Sequence, residues 1–208
     1  MKGLLLKDWY MMKKYCRTYV LVVLLFLAVS VLNAESMFFA FYPCLLCVMI
    51  PVTLLGYDEK SRWLLYSGAL PYSRKQIVSE KYLTGLFLQA AVLIITGIVQ
   101  AVKMSAAGSF SAGSFLLLMF SILFVSAFAS SIPMPCIFKY GVEKGRIAYY
   151  VMVGFVCASG TLASKVFGKL SPSGGNKALT YLILAFAAAG VYILSWYLSV
   201  IFYEKREL

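Results

Sequence analysis

The chain has 208 residues, 62% of them apolar and 13% charged, a balance that leaves too little polar surface for a water-soluble domain and points to the lipid-embedded class. The net charge is +11, but the basic residues are dispersed at the ends of apolar runs, which fits anionic headgroups and argues against nucleic acid. There is no histidine, which removes the commonest metal ligand and general base, and the five cysteines lie in or beside apolar runs, so no disulfide framework is expected.

Residues 2–16 read as a short amphipathic helix in the membrane surface, with Leu4, Leu5, Met11, Met12 and Tyr15 on one arc and Lys2, Lys7, Lys13 and Lys14 on the other. Trp9 and Tyr10 suit the headgroup level, which makes Lys7, Trp9, Tyr10 and Lys13 the interfacial candidates. The basic start is too long for a cleaved signal, so the N-terminus is expected to be retained. A first, short span is predicted over 18–34, with a tight outer turn at Asn33 to Ser36. The second, over 37–57, contains Pro43 and Pro51, each of which removes a backbone donor and bends a helix. Cys44 and Cys47 follow as small packing residues of that helix.

The polar stretch after it is placed in the cytoplasm, with a short helix from Asp58 to Leu70. Ser73 and Gln76 have the spacing of a capping box that starts the next helix. The third span, over 74–104, would be roughly 46 Å long, so its first two turns should project from the hydrocarbon. An outer loop at 105–113 leads to a fourth span over 114–132, which Pro133 and Pro135 should end. An inner loop from Phe138 to Arg146, a fifth span over 147–164, an outer segment from Lys165 to Lys177 and a sixth span over 178–202 complete a single all-α transmembrane domain, 1–208. This layout puts 15 of the 19 Lys and Arg residues on one side, so the positive-inside rule places both termini in the cytoplasm.

No span carries a charge in its central region, where the polar groups are Gln89, Thr96, Gln100, Ser121, Ser126 and Ser195, so a proton-coupled pump is not expected. No phosphate-binding loop occurs: Gly168-Lys169 has Ala163 where the first glycine belongs and Leu170 where the hydroxyl belongs. Any nucleotide would therefore sit on a partner. Small residues four apart, Gly154 with Ala158 and Ala185 with Ala189, allow close helix approach within the chain or between copies. The 58–81 stretch mixes charges with Trp63, Leu64, Leu65 and Tyr66, so it either lies on headgroups or binds a protein.

The runs MKGLLLKDWY, YDEKSRW, LPYSRKQIVSEKYL and IPMPCIFKYGVEKGR, in this order with six spans, resemble the type 2 permease subunits of ATP-binding cassette transporters. Within them the chain resembles the small permeases of phenol-soluble modulin exporters in Gram-positive bacteria. The resemblance covers nearly the whole chain. It implies a multi-pass protein of the bacterial plasma membrane that exports amphipathic or hydrophobic peptides and is no enzyme itself. A second permease, copy or homologue, would pair with it, and a separate ATPase subunit would hold ATP and Mg; this chain would carry no cofactor. By the same resemblance, residues 2–16 match a connecting helix, and the segment after the fifth span an outer re-entrant element. The 58–73 segment would be the coupling segment, its helix over 58–70, with Asp58, Glu59, Arg62, Trp63, Leu64 and Tyr66 as ATPase-docking residues. A scaffold or immunity protein that sequesters a peptide without transport is the competing reading; a membrane-embedded enzyme would need reactive polar groups that the spans lack.

Overall fold

The computed structural model describes residues 2–32, 38–67, 72–106, 108, 111–167 and 177–205, apart from the side chains of Lys2, Leu32, Phe38, Leu64, Leu65, 156–167, 177–181 and Leu184. The elements are α1 (Lys2–Tyr15), α2 (Arg17–Leu32), α3 (Phe38–Lys60), α4 (Trp63–Ser67), α5 (Arg74–Ala106), α6 (Ala112–Ser131), α7 (Pro133–Tyr140), α8 (Val142–Phe167) and α9 (Lys177–Glu204).

Among the described residues, four units are long and apolar enough to cross a bilayer: α3, α5, α6 with α7, and α9. The bent pair α1 and α2, meeting at 69° at Cys16, makes a fifth if it is one broken span. Alone, the 16 residues of α2 reach about 24 Å, short of a hydrocarbon core of roughly 30 Å. The expected turn at Asn33 to Ser36 and most of the Lys165 to Lys177 segment, including its re-entrant reading, lie outside the described residues.

The central element is α3, buried on most of its surface, with Pro43 and Pro51 accommodated inside one continuous helix. One side of it packs Val52 and Leu55 against Val78, Phe138 and Tyr203; the other packs Cys44, Cys47, Ile50 and Leu54 against Val23 and Ile122. Both cysteines are free and buried, as packing residues should be. Polar side chains in the bundle bridge neighbouring helices: Gln100 Nε2 donates to Ser30 Oγ at 3.2 Å, Gln89 Nε2 to Ser126 O at 3.0 Å, and Ser195 Oγ to Ser131 O at 2.7 Å.

The capping box forms as its spacing predicts. Gln76 N donates to Ser73 Oγ at 3.3 Å, and Ser73 N donates to Gln76 Oε1 at 3.1 Å, just before α5.

Two segments differ from expectation. The helix expected from Asp58 to Leu70 is divided, because α3 continues through Lys60 and the chain then turns at Arg62, whose φ of 54° is left-handed, before α4 begins. Ser61 N closes that end on Tyr57 O at 2.9 Å. The inner loop expected from Phe138 to Arg146 is helical except at Gly141. Pro133 sits in the first turn of α7, where a missing N–H costs nothing, so it starts a helix instead of ending a span. Gly141 ends α7 with φ 91°, its N–H donating to Ile137 O at 2.9 Å, and α8 starts at the next residue.

Candidate functional site

One end of the bundle gathers almost all the charged chemistry. Asp8 of α1, Asp58 of α3, and Glu80 and Lys81 of α5 are each no more than 3% exposed. The Lys81 ammonium lies 2.7 and 2.6 Å from the two Asp8 oxygens and 2.7 Å from Asp58 Oδ2. Lys7 reaches Asp58 Oδ1 at 2.7 Å and Asp8 Oδ1 at 3.5 Å. The helix α1, the end of α3 and the start of α5 are thus joined through two carboxylates and two ammoniums.

The local structure explains the placement. Continuation of α3 past Tyr57 turns Asp58 inward, while the capping box starts α5 early enough to bring Lys81 to the same depth. Burial opposes ionisation of Asp8, yet the Lys81 ammonium, with the hydrogen bonds of Glu80 and Lys81 and then the charge of Lys7, holds its carboxyl below the ordinary carboxylate range. Such a joint is brittle. Removing one partner from a buried ion pair typically costs about 3–5 kcal/mol, because the other charge is left uncompensated.

The residues expected to dock a partner divide into two groups. Asp58 faces inward and its carboxylate is spent on Lys7 and Lys81, so it fastens the hairpin instead of presenting itself. Glu59 accepts from Val142 N through Oε2 at 2.9 Å, which ties the hairpin to the first turn of α8. Trp63 is half-buried, with Lys7 Nζ 4.2 Å above its ring. Arg62 and Tyr66 are exposed, Tyr66 by 67%, together with Lys60. The Leu64 side chain lies outside the described residues.

Of the interfacial residues, Trp9 and Tyr10 are 51% and 64% exposed, and Lys13 is exposed with Nζ 5.2 Å from the Trp9 ring centre. Lys7 departs from that set, because the Asp58 carboxylate draws it inward from the polar arc.

Further contacts bring the other segments expected on the inner side to the same end. Arg74 Nη1 donates to Glu204 O at 2.8 Å, Phe138 packs edge-on against Tyr203, and Lys139 lies over Phe202. The start of α1, the hairpin, the α7–α8 corner and the end of α9 therefore share one face of the bundle.

Sequence reasoning missed Asp8, Glu80 and Lys81. A usable signal existed for Asp8, the one acidic residue among the first 34, in a segment with five basic ones. Elsewhere, α5, α6 and α9 form a half-open apolar pocket of about 410 Å³ lined by Leu86, Leu93, Leu123, Ala188 and Tyr192 among others.

Comparison with known families matches residues 3–204 to the model described as "ABC-2 family transporter protein". No curated protein and no solved structure matches the chain.

Proposed function

The chain belongs to the ABC-2 family of transporter proteins, and from that membership we propose that it is the permease half of an exporter driven by a separate ATP-binding cassette ATPase. A multi-pass membrane component of this kind has no ATPase site of its own, so the work must arrive through a partner. The proposal has six crossings, with α2 and α8 among them, and the charged face in the cytoplasm at the bacterial plasma membrane. It pairs the permease with a second copy or a homologue. ATP and Mg are held by the ATPase.

The observation that carries this reading is the division of labour in the hairpin. Lys60, Arg62 and Tyr66 face outward, two residues or more beyond an Asp58 that is fixed to α1 and α5. A force applied at the exposed tip reaches two helices at once through the Asp58 carboxylate, because charged hydrogen bonds in a buried site resist separation. Glu59 carries the same displacement to α8.

For substrate, the reading is an amphipathic or hydrophobic peptide. The support is chemical: the bundle's pocket is lined mainly by Leu, Ala and Ile, and offers an apolar side chain an environment close to its own.

A photo-crosslinking amino acid at position 66, activated in the native membrane, tests the proposal. Attachment to an ATP-binding cassette ATPase is the expected result. Attachment to lipid alone would turn the hairpin into a headgroup-binding element and remove the basis for coupling.

A further inference from the structure

The joint holds three carboxyl groups against two ammoniums. Lys7 and Lys81 balance Asp8 and Asp58, which leaves Glu80 over. Glu80 is 2% exposed, with Oε2 3.7 Å from Lys81 Nζ, while Oε1 is buried and has no hydrogen-bond partner among the described residues. Lys81 Nζ, at 2.7 and 2.6 Å from the Asp8 oxygens and 3.7 Å from Glu80 Oε2, gathers the two carboxyl groups at one ammonium. Two ionised carboxylates are acceptors only, so a hydrogen bond between them requires a proton on one. Asp8 takes the Lys81 ammonium on both oxygens, which fixes Asp8 as the charged member and Glu80 as the neutral one. An ionised Glu80 would add an uncompensated buried charge with one bare oxygen.

We propose that Glu80 is a positioning residue that works as a neutral acid, donating its proton to a hydrogen bond with Asp8 and thereby holding the carboxylate that α1 offers to Lys81. The inference concerns the permease alone, so its failure would leave the docking reading standing.

A dependence on pH follows. The groups facing Glu80 are Lys7 and Asp8 from α1, Asp58 from α3 and Lys81 on α5; Cys16, where α1 meets α2, lies within electrostatic reach of Asp8. From α4, the Trp63 ring packs on Lys7. If α1 lifts, Glu80 meets water and ionises as an ordinary glutamate does, near about pH 4.3. The closed joint thus binds one more proton than the open one. Closure weakens as pH rises above that value, and the open population grows by at most about tenfold per pH unit.

Cys16 is fully buried at the α1–α2 junction and reports the opening. The full chain in lipid nanodiscs is exposed to a thiol reagent between about pH 6 and about pH 9, and modification at Cys16 is quantified by peptide mass spectrometry for the wild type, Glu80→Gln and Glu80→Ala. Dividing the wild-type rate by the Glu80→Gln rate cancels the thiol's own ionisation. The ratio is expected to climb severalfold across the range, because the amide still donates to Asp8 but has no proton to lose. Glu80→Ala should label faster than Glu80→Gln at every pH. A flat ratio would overturn the proposal, as would Glu80→Gln labelling as fast as Glu80→Ala at the lowest pH.

Discussion

The Lys81 ammonium lies 2.7 Å from Asp58 Oδ2, so the start of α5 is fastened to the end of α3 directly behind the hairpin that separates them in sequence. Lys81 also holds both oxygens of Asp8 and, being itself part of α5, binds all three helices of the joint. Lys81→Met leaves two buried carboxylates with Lys7 alone and should destabilise the permease by about 3–5 kcal/mol. Combining it with Asp8→Asn should recover part of that loss, since the second change removes one of the stranded charges. Thermal unfolding of the purified variants reads both effects; additive losses would show that Lys81 and Asp8 do not act as a pair.

Glu59 caps α8 from 83 residues away, with Oε2 2.9 Å from Val142 N. Glu59→Ala removes the acceptor and should cost about 0.5–2 kcal/mol, the usual range for a lost helix cap. Glu59→Gln keeps a carbonyl oxygen and should lose less. Amide hydrogen exchange in the first turn of α8 checks this: Val142 should exchange faster in the alanine variant, and unchanged protection there would separate the hairpin from α8.

A Cβ at Gly145 would collide with the Ile137 side chain, because α7 and α8 fold back on each other around Gly141. Gly145→Ala should therefore destabilise the corner by about 1–3 kcal/mol, the range for overpacking, even though alanine is the better helix former. In an Ile137→Ala background, which lacks the opposing Cγ1, the same glycine change should cost less. Unfolding midpoints of Gly145→Ala, Ile137→Ala and the double variant decide it, and an equal cost in both backgrounds would contradict the tight crossing.

The local grammar of the chain was legible. Ser73 and Gln76 announce a helix start by spacing alone, and they pair reciprocally just before α5. The joint was not legible, for two reasons. Asp8 and Lys81 lie 73 positions apart, and no local pattern records which distant helices meet. Asp58 changes face with a small shift in where α3 ends, since each helical residue turns the side chain by about 100°. A helix starting at Asp58 would leave it on a free surface; continuation from Tyr57 to Lys60 turns it inward. At Pro133 the residue type was informative but ambiguous, because proline fits the first turn of a helix as well as it breaks an interior one.

The central claim is that the exposed tip of the hairpin receives the ATPase while the buried joint behind it transmits the displacement. It is tested most directly with Arg62→Ala and Tyr66→Ala together, in the permease co-purified with the ATPase it recruits from its native membrane. The double variant should keep the wild-type unfolding midpoint, because both side chains are exposed, while ATPase stimulation falls at least about tenfold and co-purification is lost. Co-purification and stimulation at wild-type levels would contradict the claim.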